Sequence, residues 1–214
     1  MEISEGGTSS PDPEPSIIGL TGGIGSGKTA VAKIIEEAGF PVYYSDQRAK
    51  DLIVQDPGVK DQIIELLGPE SYDGLGQYNR SYVSTLVFND PALLEKLNSI
   101  THPAVRRDFT QWISRQNSKI VFKESALLFE LGLDQECKKT ILVTAEDNLR
   151  IKRVMDRDQK TYREVETIMD KQMPEKDKVR KTVYIIYNNG TFEELETETN
   201  RVLTKLIENL SHSS

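Results

Sequence analysis

A single cysteine, Cys137, in 214 residues leaves this chain no disulfide framework, and fits a reducing compartment. Positive charge is also short: 27 Lys and Arg stand against 34 Asp and Glu, for a formal charge of −7. Four of the acids, Glu2, Glu5, Asp12 and Glu14, fall within residues 1–16, which hold no base, so the rest of the chain carries −3. Nothing in that balance suggests the basic face that marks general nucleic-acid binding. No apolar run approaches the roughly 20 residues needed to span a bilayer. The N-terminus has neither the basic nor the apolar region of a signal peptide. A cytoplasmic protein is expected, without nucleic-acid, membrane or obligate protein partners. The glycosylation sequons at Asn79, Asn189 and Asn209 then read as chance matches.

What is present is concentrated in Gly22-Gly23-Ile24-Gly25-Ser26-Gly27-Lys28-Thr29. This run satisfies G-x-x-x-x-G-K-[ST], the P-loop pattern. Ile17, Ile18 and Leu20 lead in as a strand signal, and Val31, Ile34, Ile35 and Ala38 lead out with helical spacing. Glycines let successive N–H groups converge into an anion nest at a helix N-terminus. Lys28 is placed to reach the β- and γ-phosphates, and Thr29 to offer its hydroxyl to Mg²⁺. Gly23 through Ala30 are therefore the expected nucleotide contacts.

Around this loop, strand signals alternate with helical ones. Ile17–Leu20, Pro41–Ser45, Ile120–Phe122, Thr140–Val143 and Val183–Tyr187 read as strands. Alternation of this kind predicts an α/β protein, a P-loop three-layer fold with a parallel sheet covered on both faces. Ligands then belong at the carboxyl ends of the strands. Residues 1–16, rich in Gly, Ser, Pro and acids, read as a disordered tail before a domain spanning 17–214. Residues 47–118 are too long for a simple crossover and read as a helical insertion carrying a second substrate site. The densely charged stretch 147–178 is either a solvated helix pair or a lid bringing arginines over phosphates.

A P-loop alone does not fix the chemistry. The guanine-reading Asn-Lys-x-Asp element of GTPases is absent, and Asp73-Gly74-Leu75-Gly76 reads as a turn. A small-molecule kinase remains. Its acceptor hydroxyl benefits from a carboxylate that orients it or takes its proton. Asp46, just past the second strand, is placed for that role or for capping the helix expected from Gln47. Glu124, after Ile120-Val121-Phe122-Lys123, is a candidate Walker B carboxylate or a surface acid at a strand end.

Phe40-Pro41-Val42-Tyr43-Tyr44-Ser45-Asp46, following Leu20 to Lys28, resembles the opening of the dephospho-coenzyme A kinases. Asp73-Gly74 with Arg80, Val87-Phe88, Leu97 and Ile100-Thr101-His102-Pro103 are similar to that family's insertion. Leu127-Leu128-Phe129-Glu130 is similar to its segment after the third strand. Arg153, Arg157-Asp158, Gln172 and Asn188-Asn189-Gly190 are similar to its lid and last strand turn. The resemblance covers residues 17 to about 207. It implies transfer of the γ-phosphoryl group of ATP to the ribose 3′-hydroxyl of dephospho-CoA, with Mg²⁺, giving CoA and ADP. Lys28, Asp46 and Arg157 are the implied catalytic residues, with Arg153 assisting. Arg80 and His102 are implied substrate contacts, Asn189 lies near the adenine, and Thr29 binds the metal, with Glu124 the candidate second metal ligand. Tyr78, Phe88 and Trp112 either frame the substrate or belong to the core. Tyr44, Ala126 and Lys181-Thr182 depart from the usual pattern, which bears on metal geometry and lid docking. The alternatives are another P-loop nucleoside or nucleotide kinase and a regulator that binds ATP without transferring phosphate.

Overall fold

The computed structural model describes residues 14–212, so the tail expected over residues 1–16 lies, through residue 13, outside the described residues. Five parallel strands form one sheet among the described residues: β1 (Ser16–Thr21), β2 (Val42–Tyr44), β3 (Ile120–Glu124), β4 (Lys139–Thr144) and β5 (Tyr184–Tyr187). Their order is β2-β3-β1-β4-β5. β1 lies in the middle, pairing Ile18 with Phe122 on one side and Leu20 with Ile141 on the other. Ile18, Leu20, Ile141 and Leu142 are fully buried, as expected for strands covered on both faces.

Helices α1 (Lys28–Glu37) and α9 (Phe192–Ser211) cover one face. α9 starts in a capping box, where the Thr191 hydroxyl accepts from Glu194 N–H and the Glu194 carboxylate accepts from Thr191 N–H. Its apolar stripe, Leu195, Val202, Leu203, Leu206 and Leu210, recurs at helical spacing and packs on α1 and the sheet. Burial of each such leucine contributes about 2 kcal/mol.

Between β2 and β3 the chain builds α2 (Ser45–Gln55), α3 (Pro57–Leu67), α4 (Arg80–Phe88) and α5 (Pro91–Ile113). These helices have a hydrophobic cluster of their own, centred on Val59, Ile63, Tyr72, Val83 and Leu97. Asp56 and Asp90 each precede a proline at the first helical position and cap α3 and α5 through their side chains. The turn at Asp73 is built by its carboxylate, which accepts from Leu75 N–H and Gln77 N–H. α2 is tied to α5 by Asp108, which takes two hydrogen bonds from Arg48 (2.9 and 2.6 Å) and one from the Tyr43 hydroxyl (2.7 Å). Tyr43 is nearly fully buried, and that burial pushes its phenol above the ordinary range.

A third group, α6 (Asp147–Asp158), α7 (Tyr162–Asp170) and α8 (Glu175–Lys181), lies between β4 and β5. Ile151, Val154 and Val165 form its small core, with Ile24 of the glycine-rich loop packed against it. Among the described residues, no helix is long and apolar enough to cross a membrane.

Candidate active site

β1 ends at Thr21, and the chain turns through the glycines directly into α1. Gly25 and Gly27 hold φ of 77° and 92°, a left-handed conformation that favours glycine. A Cβ at Gly27 would strike the Asn188 amide, and one at Gly25 the Arg150 backbone. The loop is held by those same neighbours. Asn188 Nδ2 donates to Ser26 O at 2.9 Å, Arg150 Nε donates to Ile24 O at 3.0 Å, and Gln172 Oε1 accepts from Ile24 N–H at 3.0 Å. Beyond it, Ala30 N–H turns back onto Gly27 O at 2.9 Å. The helix that follows presents unspent N–H groups and the positive end of its dipole.

Two strand ends bring carboxylates to the lysine of this loop. From α1, the Lys28 ammonium meets Glu124 at the end of β3, and lies 3.8 Å from Asp46 Oδ2 just past β2. Burial pulls the Lys28 pKa down to about 8, Asp46 pulls it back up, and Lys178 adds to the lowering. Asp46 does not cap its own helix. α2 begins at Ser45, so Asp46 sits in the first turn, and its carboxylate reaches the segment after β3. There it accepts from Ala126 N–H at 3.0 Å and lies 3.4 Å from Ser125 Oγ. Glu124 is 5% exposed, so it is no surface acid.

A cavity of about 860 Å³ opens over these groups, lined by the whole glycine-rich loop together with Asp46, Glu124, Trp112, Arg153 and Arg157. Arg153 leaves Nη1 buried without a hydrogen-bond partner among the described residues, while Nη2 reaches Asn188 Oδ1 at 3.4 Å. Arg157 spends two N–H groups on its neighbour Asp158 and is mostly exposed. Arg80 lies elsewhere, in a second cavity of about 400 Å³ that also holds Tyr78, Val87 and Leu97. Lys50 lines both cavities, so they adjoin.

The remaining expected contacts stand apart from the loop. His102 lies on an exposed face inside α5, one residue before the helix-interior Pro103, and is not among the residues lining either cavity. Desolvation lowers its pKa below the usual histidine value. Asn189 accepts from Glu146 N–H at 2.9 Å, and the buried neighbour Asn188 is the residue that touches the loop. Phe88 is exposed, with the Lys171 ammonium 5.4 Å from its ring centre. Local sequence carried no signal for the roles of Asn188, Arg150 and Ser125.

The donors suit a hard cation that arrives with its ligand. Thr29, exposed on the first turn of α1, and the carboxylates of Glu124 and Asp46 are all oxygen donors. No cluster of three or more His, Cys, Asp or Glu that could hold a metal occurs among the described residues. Mg²⁺ held chiefly by phosphates and water requires only one or two carboxylates.

A parallel sheet with this strand order, a glycine-rich loop feeding a helix from the central strand, and two carboxylates facing the loop lysine define a P-loop kinase. The family model described as Dephospho-CoA kinase matches residues 16–194. This chain belongs to the dephospho-CoA kinase family. The dephospho-CoA kinase of Chlorobaculum tepidum is 36% identical over 200 residues, covering 90% of this chain and 96% of the relative. That of Thermus thermophilus is 37% identical over 192 residues, covering 90% and 92%. The crystal structure of TT1252 from Thermus thermophilus superposes with a TM-score of 0.81 at 36% identity, covering 91% of this chain and 99% of that one.

Proposed function

We propose that this enzyme transfers the γ-phosphoryl group of ATP to the ribose 3′-hydroxyl of dephospho-CoA, releasing CoA and ADP. The observation that carries the reading is Asp46, set 3.8 Å from the Lys28 ammonium and held by Ala126 N–H in the lining of the cavity that contains the whole glycine-rich loop.

In this reading the loop N–H groups and Lys28 hold the β- and γ-phosphates. Arg153 and Arg157 close over them from α6, which with α7 and α8 serves as a lid over residues 147–178. Helices α2 to α5, within residues 47–118, bind the acceptor. The Arg80 cavity takes its pantetheine arm, and Asp46 faces the 3′-hydroxyl. The acceptor oxygen forms a bond to the γ-phosphorus as the bond to the β-bridging oxygen breaks. The hydroxyl proton passes to Asp46, and ADP leaves with the bridging oxygen. Because the transition state is loose, Asp46 need not remove that proton before transfer begins. Mg²⁺, when bound, neutralises charge on the β- and γ-oxygens; Thr29 and Glu124 would hold it. A reducing, cytoplasmic setting suits Cys137, whose thiol burial pushes up to about 12.

The test is ADP release from purified protein with Mg²⁺-ATP, with and without dephospho-CoA, with CoA identified by mass. ADP and CoA formed together are expected. ADP formed only with a nucleoside or nucleotide acceptor would replace this reading with another kinase. ATP binding without turnover on any acceptor would leave a regulator.

A further inference from the structure

Lys178, on α8, is completely buried. Its ammonium lies 3.4 Å from Glu130 Oε1, and it makes no hydrogen bond among the described residues. Glu130, in the segment after β3, leaves Oε2 buried and also unpartnered. Its Oε1 accepts from Met173 N–H at 2.8 Å, in the turn between α7 and α8. The residue before it, Gln172, holds Ile24 N–H in the glycine-rich loop. One buried ion pair thus anchors a turn whose other end grips the phosphate-binding loop.

Stability alone does not account for this lysine. Well-packed apolar residues commonly match or exceed a buried ion pair in stability, because desolvating both charges is costly. The fully buried position also carries a desolvation cost that the 3.4 Å approach of Glu130 has to offset. Its charge is felt beyond the pair as well, since it opposes protonation of Lys28 and so adds positive potential beside the loop.

We propose that Lys178 is a positioning residue for phosphoryl transfer: through Glu130 it fixes the α7–α8 turn, and with it Gln172 and Ile24, in register with the bound phosphates. The inference rests on the kinase reading above. Lys178 touches neither substrate, so its loss is felt where geometry matters most, in the transfer step, and less in ATP binding.

The test compares the full-length wild type with Lys178→Met, Lys178→Arg and the doubly neutral Glu130→Gln/Lys178→Met. It measures kcat, ATP Kd, thermal midpoint and hydrogen exchange at the Met173 amide. Lys178→Met should lose on the order of 100-fold in kcat, the scale of a small misplacement at a distance from the chemistry, with ATP Kd within about threefold. Lys178→Arg, which keeps the charge, should recover most of the rate. The doubly neutral variant removes the uncompensated charge, so it should regain the thermal midpoint but not the turnover. The proposal is overturned if that variant regains both, if Lys178→Met keeps kcat within about threefold of wild type, or if Lys178→Arg is no better than Lys178→Met. Should Lys178→Met not fold, the other two variants decide in the same terms. Failure of the wild type to make CoA would overturn the reaction. The positioning role would then stand or fall on Met173 exchange, which Lys178→Arg must leave slow and Lys178→Met must speed.

Discussion

Asp46→Asn separates binding from chemistry at this site. The carboxylate accepts from Ala126 N–H through one oxygen, and an asparagine keeps a carbonyl oxygen for that bond. The shape of the segment after β3 therefore survives. What is lost is a negative charge 3.8 Å from Lys28 Nζ. At that distance the pair interaction is roughly 4 kcal/mol at an effective dielectric of about 20, and about 1 kcal/mol in water. The Asp46 side chain is 44% exposed, so the lower figure applies. ATP affinity should then move by no more than about fivefold, and towards tighter binding, since an anion facing the phosphates is gone. Turnover is different. Loss of a positioned proton acceptor costs about 10²–10⁴ in rate, or roughly 3–5 kcal/mol of barrier. Calorimetric titration of ATP and ADP release at saturating substrates measure the two quantities separately. Turnover within about tenfold of wild type, or a loss explained entirely by weaker ATP binding, would refute the role given to Asp46.

ATP affinity, measured in EDTA to exclude divalent metal, should fall by about tenfold between pH 7 and 9. Bound phosphates raise the Lys28 pKa above its free value of about 8, so binding is at full strength below that value and weakens as pH rises through it. Lys28→Arg stays charged throughout and should give a flat profile; an unchanged slope in that variant would assign the titration to another group. Asn188→Ala removes the 2.9 Å hydrogen bond to Ser26 O and strands a buried carbonyl. It should cost about 1–2 kcal/mol in urea unfolding and raise the ATP KM. A normal KM in a destabilised variant would mean that the loop keeps its shape without Asn188.

The parts of this protein that can be read locally were legible in the sequence. The glycine-rich loop is a continuous run of residue types demanded by one geometry. The strands are short apolar runs, so β2 was expected over residues 41–45 and forms at Val42–Tyr44. Their order was not legible, because it depends on pairings such as Ser16 with Ile120 that no local pattern encodes. The same limit applies within the site. Asp46 stood out by its position after a strand, but its partner Ala126 is 80 residues away, so capping and substrate orientation looked alike. Arg150 and Asn188 hold the loop across 126 and 162 residues. A proline normally ends a helix, yet Pro103 lies within α5, which left His102 on an outward face.

The chain leaves the sheet after Tyr44 and returns at Ile120, onto the neighbouring strand, where Tyr44 pairs with Glu124. Because β2 and β3 run parallel, the α2–α5 excursion leaves at the carboxyl edge of the sheet and returns at its amino edge, so its two ends are fixed about one strand length apart, roughly 14 Å. Closing an excursion between fixed ends costs entropy that grows only logarithmically, about 0.6 kcal/mol for each doubling in length. The sheet is accordingly almost blind to what the excursion contains. On the proposed reading, acceptor recognition can be lengthened, shortened or exchanged there at nearly constant stability, while Asp46 and Glu124, side by side at the carboxyl ends of β2 and β3, keep the transfer chemistry where it is.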